Sequence, residues 1–339
     1  ALDLRQPARL WGFPSVCFML SFASPTRRRL LLQRLAWLCA ALMLVVASLS
    51  AFIRQSRSEQ GCEPWPQCQG IAAVQVGATL PEAGAGVAMA RMGHRVVASA
   101  TLLLVLAMVG LALSAGVAMR AEARLALGLL GLVLFLALLG VLAGPSRLPA
   151  VTLGNLLAGF AMCALSVRLA LMAGHADAAR SRPLPSAWLA VATALAWAQV
   201  ALGGMVSAGE AGLSCPALGA CDWRAGSWQA LDPWALPAGD LLPGHAAGAL
   251  VHMLHRWSGM ALTLVLLVLA WQAWRLGRRA VAAWLVALPL LLVVLGLVQV
   301  WLRLPLPLVL VHNTAAALLL ALLSGVGLDG PPDRNRTCI

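Results

Sequence analysis

Residues 247–274 read AGALVHMLHRWSGMALTLVLLVLAWQAW. The stretch holds two histidines and one arginine, no lysine and no acid, and is otherwise dominated by apolar residues. A bilayer core about 30 Å thick is crossed by roughly 20 residues of helix, so this run is long enough to span it. An imidazole in hydrocarbon is costly without a partner, which marks His252 and His255 as functional candidates from the outset.

Working outward, seven further stretches have the same character: 33–53, 89–116, 125–143, 149–173, 187–207, 280–300 and 307–327. Hydrophobic residues make up 61% of the 339-residue chain and charged ones 11%. Soluble domains average about 45–50% and about 25%. A soluble fold this apolar would lack the polar residues to cover its surface. The expected fold class is an all-α integral membrane protein with eight transmembrane helices.

The formal net charge is +12, and all 24 basic residues are arginine. They fall in short clusters between apolar runs, not along one polar face, so nucleic acid is excluded as a partner. Arg27, Arg28, Arg29 and Arg34 precede or open the first span; Arg120 and Arg124, Arg180 and Arg182, and Arg275, Arg278 and Arg279 mark alternate connections. The opposite connections hold most of the acids: Glu59, Glu63, Glu82, Glu210, Asp222, Asp232 and Asp240. The positive-inside rule then puts both termini in the cytoplasm and the long connections 54–88 and 208–246 outside. Residues 1–32 read as a disordered or interfacial extension. Its apolar stretch Ser15–Ala23 is too short to span, and no small-residue cleavage site is evident. Residues 328–339 read as a disordered tail.

The chain is also an internal duplication. The first outer connection contains Gly61-Cys62-Glu63-Pro64-Trp65-Pro66-Gln67-Cys68, and the second Leu213-Ser214-Cys215-Pro216-Ala217-Leu218-Gly219-Ala220-Cys221. The cysteine pairs share one spacing and stand 153 residues apart; His94-Arg95 and His255-Arg256 open the following helices, 161 apart. This organisation predicts two pseudo-symmetric four-helix bundles, residues 33–173 and 187–327, joined by a cytoplasmic linker at 174–186.

Four of the six histidines, His94, His252, His255 and His312, lie in predicted spans. Helices two, six and eight all run inward, and His94, His255 and His312 stand about five, eight and five residues into them. The three should therefore lie at one level in the outer half of the bilayer. Zinc fits poorly, because no cysteine or carboxylate ligand lies near these residues in sequence. Imidazoles facing one another across a four-helix bundle suit heme iron. The duplication pairs His255 with His312 and leaves His94 in the other half. His252 lies a turn before His255 on the same face, as an outer group behind the ligand, a propionate contact or an interfacial histidine. Arg95 and Arg256 follow candidate ligands and either pair with heme propionates or anchor at the interface. His175 and His245 fall in connections and receive no role.

Outside the membrane disulfides persist, so Cys62 with Cys68 and Cys215 with Cys221 are candidate bridges. The other reading is a redox-active or substrate-linking thiol pair. Cys17, Cys39, Cys163 and Cys338 have no partner at matched spacing.

These motifs resemble the heme A synthase family over about residues 33–327. The carriers are the Gly-Cys-Glu-Pro-Trp-Pro-Gln-Cys run at 61–68, Gly-Leu-Ser-Cys-Pro at 212–216, the two His-Arg helix openings and Val311-His312. The resemblance implies oxidation of a heme O methyl group to a formyl group by successive hydroxylation, giving heme A for cytochrome oxidase. It implies a heme b cofactor between His255 and His312 in the C-terminal half. The N-terminal half would take the substrate heme, with His94 as a ligand. It further implies a bacterial inner-membrane location with periplasmic loops, heme O synthase and other assembly factors as partners, and a homo-oligomer as an open alternative to a monomer. Two positions depart from the family pattern. Where a helix-four histidine would stand the chain has Gly154 and Asn155, and Arg91 replaces a glutamate before His94. Glycine there would open space and an open iron position. The alternatives are a non-catalytic heme-binding or assembly protein on the same scaffold and a b-type electron-transfer protein.

Overall fold

The computed structural model describes residues 25–58, 85–143, 146, 148–174, 184–216, 221–236 and 244–326. Cys62 and Cys68, like most of the expected extension and tail, lie outside the described residues. Eight helices follow in order: α1 Pro25–Ser58, α2 Ala85–Ser114, α3 Arg120–Ala143, α4 Pro149–Gly174, α5 Ser186–Ala208, α6 Ala249–Arg275, α7 Arg279–Trp301 and α8 Leu306–Val326. Each is long and apolar enough to cross a membrane, and there is no strand among the described residues. The first helix begins at Pro25, well before the predicted start at 33. Its opening arginines reach carbonyls at and just beyond the end of α2: Arg28 Nη1 donates to Ser114 O at 2.9 Å and Arg29 Nη2 to Ala118 O at 2.9 Å. Glu122, 6% exposed, pairs with Arg29 at 3.6 Å.

Short, chemically specified turns join neighbours. Between α6 and α7, Gly277 takes φ +77°, which a Cβ would resist, and Arg278 N donates to Ala273 O at 2.9 Å. This is the left-handed closure that satisfies the last carbonyls of a helix. Between α7 and α8, Arg303 and Leu304 take φ 64° and 61° without being glycine. Leu304 lies against Gly212 of the connection between α5 and α6.

Helix packing follows a ring in each half. In the first, α1 packs on α2 and α4, and α3 on α2 and α4; in the second, α5 packs on α6 and α8, and α7 on α6 and α8. The diagonal pairs α2–α4 and α6–α8 are not packed neighbours. One core gathers Leu32, Met108, Leu129 and Leu169 from the first four helices, and another gathers Leu266, Leu285 and Leu320 from the last four with Phe160 of α4. Between the halves, α4 meets α8 and α5, and α1 meets α8. There the contacts become polar: Ser324 Oγ donates to Ala164 O at 2.8 Å, and Arg168 Nη1 to Ser324 O at 2.8 Å.

Candidate functional site

His255 and His312 are each the seventh residue of their helices, α6 and α8. At about 1.5 Å per residue both sit about 9 Å below the helix start. Because α6 and α8 lie on a diagonal of the ring, the two imidazoles face the bundle interior from opposite sides, and they are electrostatic neighbours. Both are half-buried, and each has a buried Nδ1 with no hydrogen-bond partner. His94 is the tenth residue of α2, because that helix starts at Ala85, earlier than the sequence suggests.

The adjoining helices leave room for the rings. A Cβ at Gly203 of α5 would stand 3.0 Å from His255 Cε1, and one at Gly296 of α7 would stand 3.8 Å from His312 Cε1. The next residue, Gly204, faces the other way, where a Cβ would come within 2.8 Å of Leu153 of α4. The adjacent glycines thus let α5 slip between the His255 ring and the N-terminal half.

Two polar side chains that the sequence reading passed over adjoin His255. Gln199 Nε2 lies 3.4 Å from His255 Nε2. Ser258 Oγ donates to Gln199 Oε1 and lies 3.2 Å from His255 O. The signal was available: glutamine inside an apolar span, four residues before Gly203.

His252 is 4% exposed, buried beside His255 and against the backbone of Ala211. It packs inside the protein, one turn before His255. Arg256 is engaged by the cysteine loop, its Nη2 donating to Cys215 O at 2.6 Å. Cys215 and Cys221 form a disulfide with Cα atoms 4.8 Å apart, and Cys215 Sγ contacts Ala249 O at 3.6 Å. The bridged loop is thereby fastened to the start of α6. His245, given no role from sequence, completes the fastening. It accepts from Gly248 N at Nδ1 (3.1 Å), so its Nε2 carries the proton and donates to Gly209 O at 2.8 Å.

In the N-terminal half the expected opening is closed. A Cβ at Gly154 would lie 3.0 Å from Leu139 and 3.7 Å from Phe135, both on α3. The glycine lets α3 approach instead of opening space for a ligand. Asn155 turns its Nδ2 back to Val151 O at 3.1 Å. Arg91 and Arg95 are exposed on one face of α2.

No group of three or more His, Cys, Asp or Glu gathers to hold a metal ion among the described residues. Two imidazoles across a bundle diagonal, each with a ring nitrogen lacking a protein partner, are a poor zinc donor set and a good one for an iron porphyrin. The residues present fit heme.

The family model described as cytochrome oxidase assembly protein (COX15-CtaA) matches residues 33–324. The heme A synthase of Shewanella oneidensis is 30% identical over 322 residues, covering 85% of this chain and 94% of that protein. Heme A synthases of Maricaulis maris and Rhodospirillum centenum are 31% and 33% identical over 179 and 166 residues, each alignment covering 47% of this chain and 47% and 42% of the respective relatives. With its eight apolar helices and a match over nearly all of them, the chain belongs to the cytochrome oxidase assembly protein family.

Proposed function

We propose that this chain is a heme A synthase, a membrane oxidoreductase that converts heme O to heme A for cytochrome oxidase assembly. The observation that carries the reading is the pair His255–His312, at matched depth on helices that face each other without packing. A heme b held there supplies one-electron redox chemistry. The chain's own residues bind and orient. His255 and His312 would hold the heme iron, Gln199 and Ser258 flank the His255 ring, and Gly203 and Gly296 leave space beside the two rings. Each hydroxylation is a two-electron oxidation that replaces a C–H bond of the methyl group by C–OH. With water as the oxygen source, two protons and two electrons leave to an external acceptor; with dioxygen, two protons and two electrons are supplied and one water is released. Loss of water from the resulting diol leaves the formyl group. His94 is the substrate-side candidate in the half spanning 33–173, and 187–327 is the cofactor half. Heme O synthase and other assembly factors are the partners this reading expects, and a homo-oligomer is compatible with it.

The location is a bacterial inner membrane, with the connections 54–88 and 208–246 periplasmic. Arginine at the opposite helix ends supports that orientation.

Heme extraction from a deletion strain complemented with this chain tests the function. The native chain should restore heme A, and His312→Ala should leave heme O to accumulate. Heme A that persists in the uncomplemented strain would sink the assignment. A non-catalytic heme carrier is the second reading. It is favoured by α3 filling the face of Gly154 and by Asn155 folding onto its own helix. A carrier would bind heme yet leave heme O unconverted in the same extraction.

A further inference from the structure

Arg54 stands at the outer end of the first span, Thr26–Gln55, where a guanidinium must find a partner or reach water. It is half-buried and reaches sideways. Its Nε donates to Ser207 Oγ of α5 at 2.9 Å, across the boundary between the halves. Since α1 and α5 are not packed neighbours, the long side chain itself bridges the gap.

Ser207 lies four residues beyond Gly203, on the same face of α5 and about 6 Å further out. Gly203 is the residue against the His255 ring. An arginine of the first half is therefore held one turn outward of the ligand ring of the second half. With Nε committed, Nη1 and Nη2 form a fork, and neither meets an acceptor among the described residues. Arg256, the candidate from sequence, is tied to Cys215 O.

We propose that Arg54 binds a propionate carboxylate of the iron porphyrin ligated at His255 and His312. A planar guanidinium matches a carboxylate through two parallel hydrogen bonds. A heme held at His255 with its propionates outward would present them to this fork. A lipid phosphate is the less fitting occupant, because the side chain points to α5 between the halves and not outward to the bilayer. The proposal rests on the heme reading above and adds that the cofactor site draws on both halves.

The test is a titration of the heme-depleted full-length chain in detergent with hemin and with hemin dimethyl ester, whose propionates carry no charge. The native chain should prefer hemin. Arg54→Gln should cut that preference roughly tenfold or more, as loss of a charge-assisted hydrogen bond does, and leave ester affinity unchanged. Arg54→Lys, which keeps the charge without the fork, should retain an intermediate preference and so guards against simple misfolding. An undiminished preference in Arg54→Gln overturns the proposal, as does an equal loss for hemin and ester. If the native chain binds neither compound, or His255→Ala binds both as well as the native chain does, the heme reading itself falls and the assignment with it.

Discussion

Arg54 and Ser207 hydrogen-bond at 2.9 Å and stand 153 residues apart, the offset that also separates Cys62 from Cys215 and Cys68 from Cys221. They are repeat-equivalent positions touching each other. Equivalent residues of two copies meet only near the axis that relates the copies, so the bond supports the two-half organisation read from the cysteine loops. Ser207 also lies one helical turn from Gly203, the residue against the His255 ring.

Gly203→Ala is expected to displace the His255 ring, because the new Cβ would sit 3.0 Å from Cε1. Overpacking of this kind costs about 1–3 kcal/mol. The heme-to-protein ratio after purification should drop, measured by pyridine hemochrome absorbance. Gly296→Ala is the control, since its Cβ would make an ordinary 3.8 Å contact with His312. Equal heme content in both variants would count against the packing account.

Restoring a histidine at position 154 should not create a second heme ligand. Leu139 and Phe135 already cover that face, so Gly154→His should lower thermal stability by about 1–3 kcal/mol through overpacking. The low-spin heme spectrum should be unchanged. Extra low-spin heme in this variant would show that the N-terminal half has room after all.

Arg256→Gln should loosen the bridged loop. The lost bond to Cys215 O has a charged donor, a class that contributes about 1.5–3 kcal/mol. The disulfide closes a seven-residue loop, Cys215–Cys221, for which the chain-entropy model gives about 2–2.5 kcal/mol. Reduction should therefore lower the melting temperature, and the bridge should be reduced faster in Arg256→Gln than in the native chain. Thiol labelling over time reads the difference; identical rates would show that the arginine does not hold the loop.

His245→Ala removes two hydrogen bonds of the outer clip, at about 0.5–1.5 kcal/mol each. Heme content should stay at the native level while stability falls. Loss of heme in proportion to stability would make His245 part of the binding site. His255→Ala and His312→Ala should show the opposite pattern, with heme lost first.

Sequence alone determined the eight spans, because crossing a bilayer depends on a local sum of side-chain transfer free energies that any window of the chain carries with it. It also singled out His255 and His312, since an imidazole in hydrocarbon stands out wherever it occurs. Helix starts moved, by eight residues at Pro25 and by four at Ala85. Tertiary structure alone decided what each polar group meets. Arg256 is tied to a carbonyl 41 residues away and Arg54 to a hydroxyl 153 away. Gly154 is covered by α3, and Gln199 lies against His255. Hydropathy and spacing describe one segment at a time, whereas these partners are set by which helices become neighbours and which face each other across a diagonal. The histidines were legible in the chain; their surroundings exist only once the rings of helices have closed.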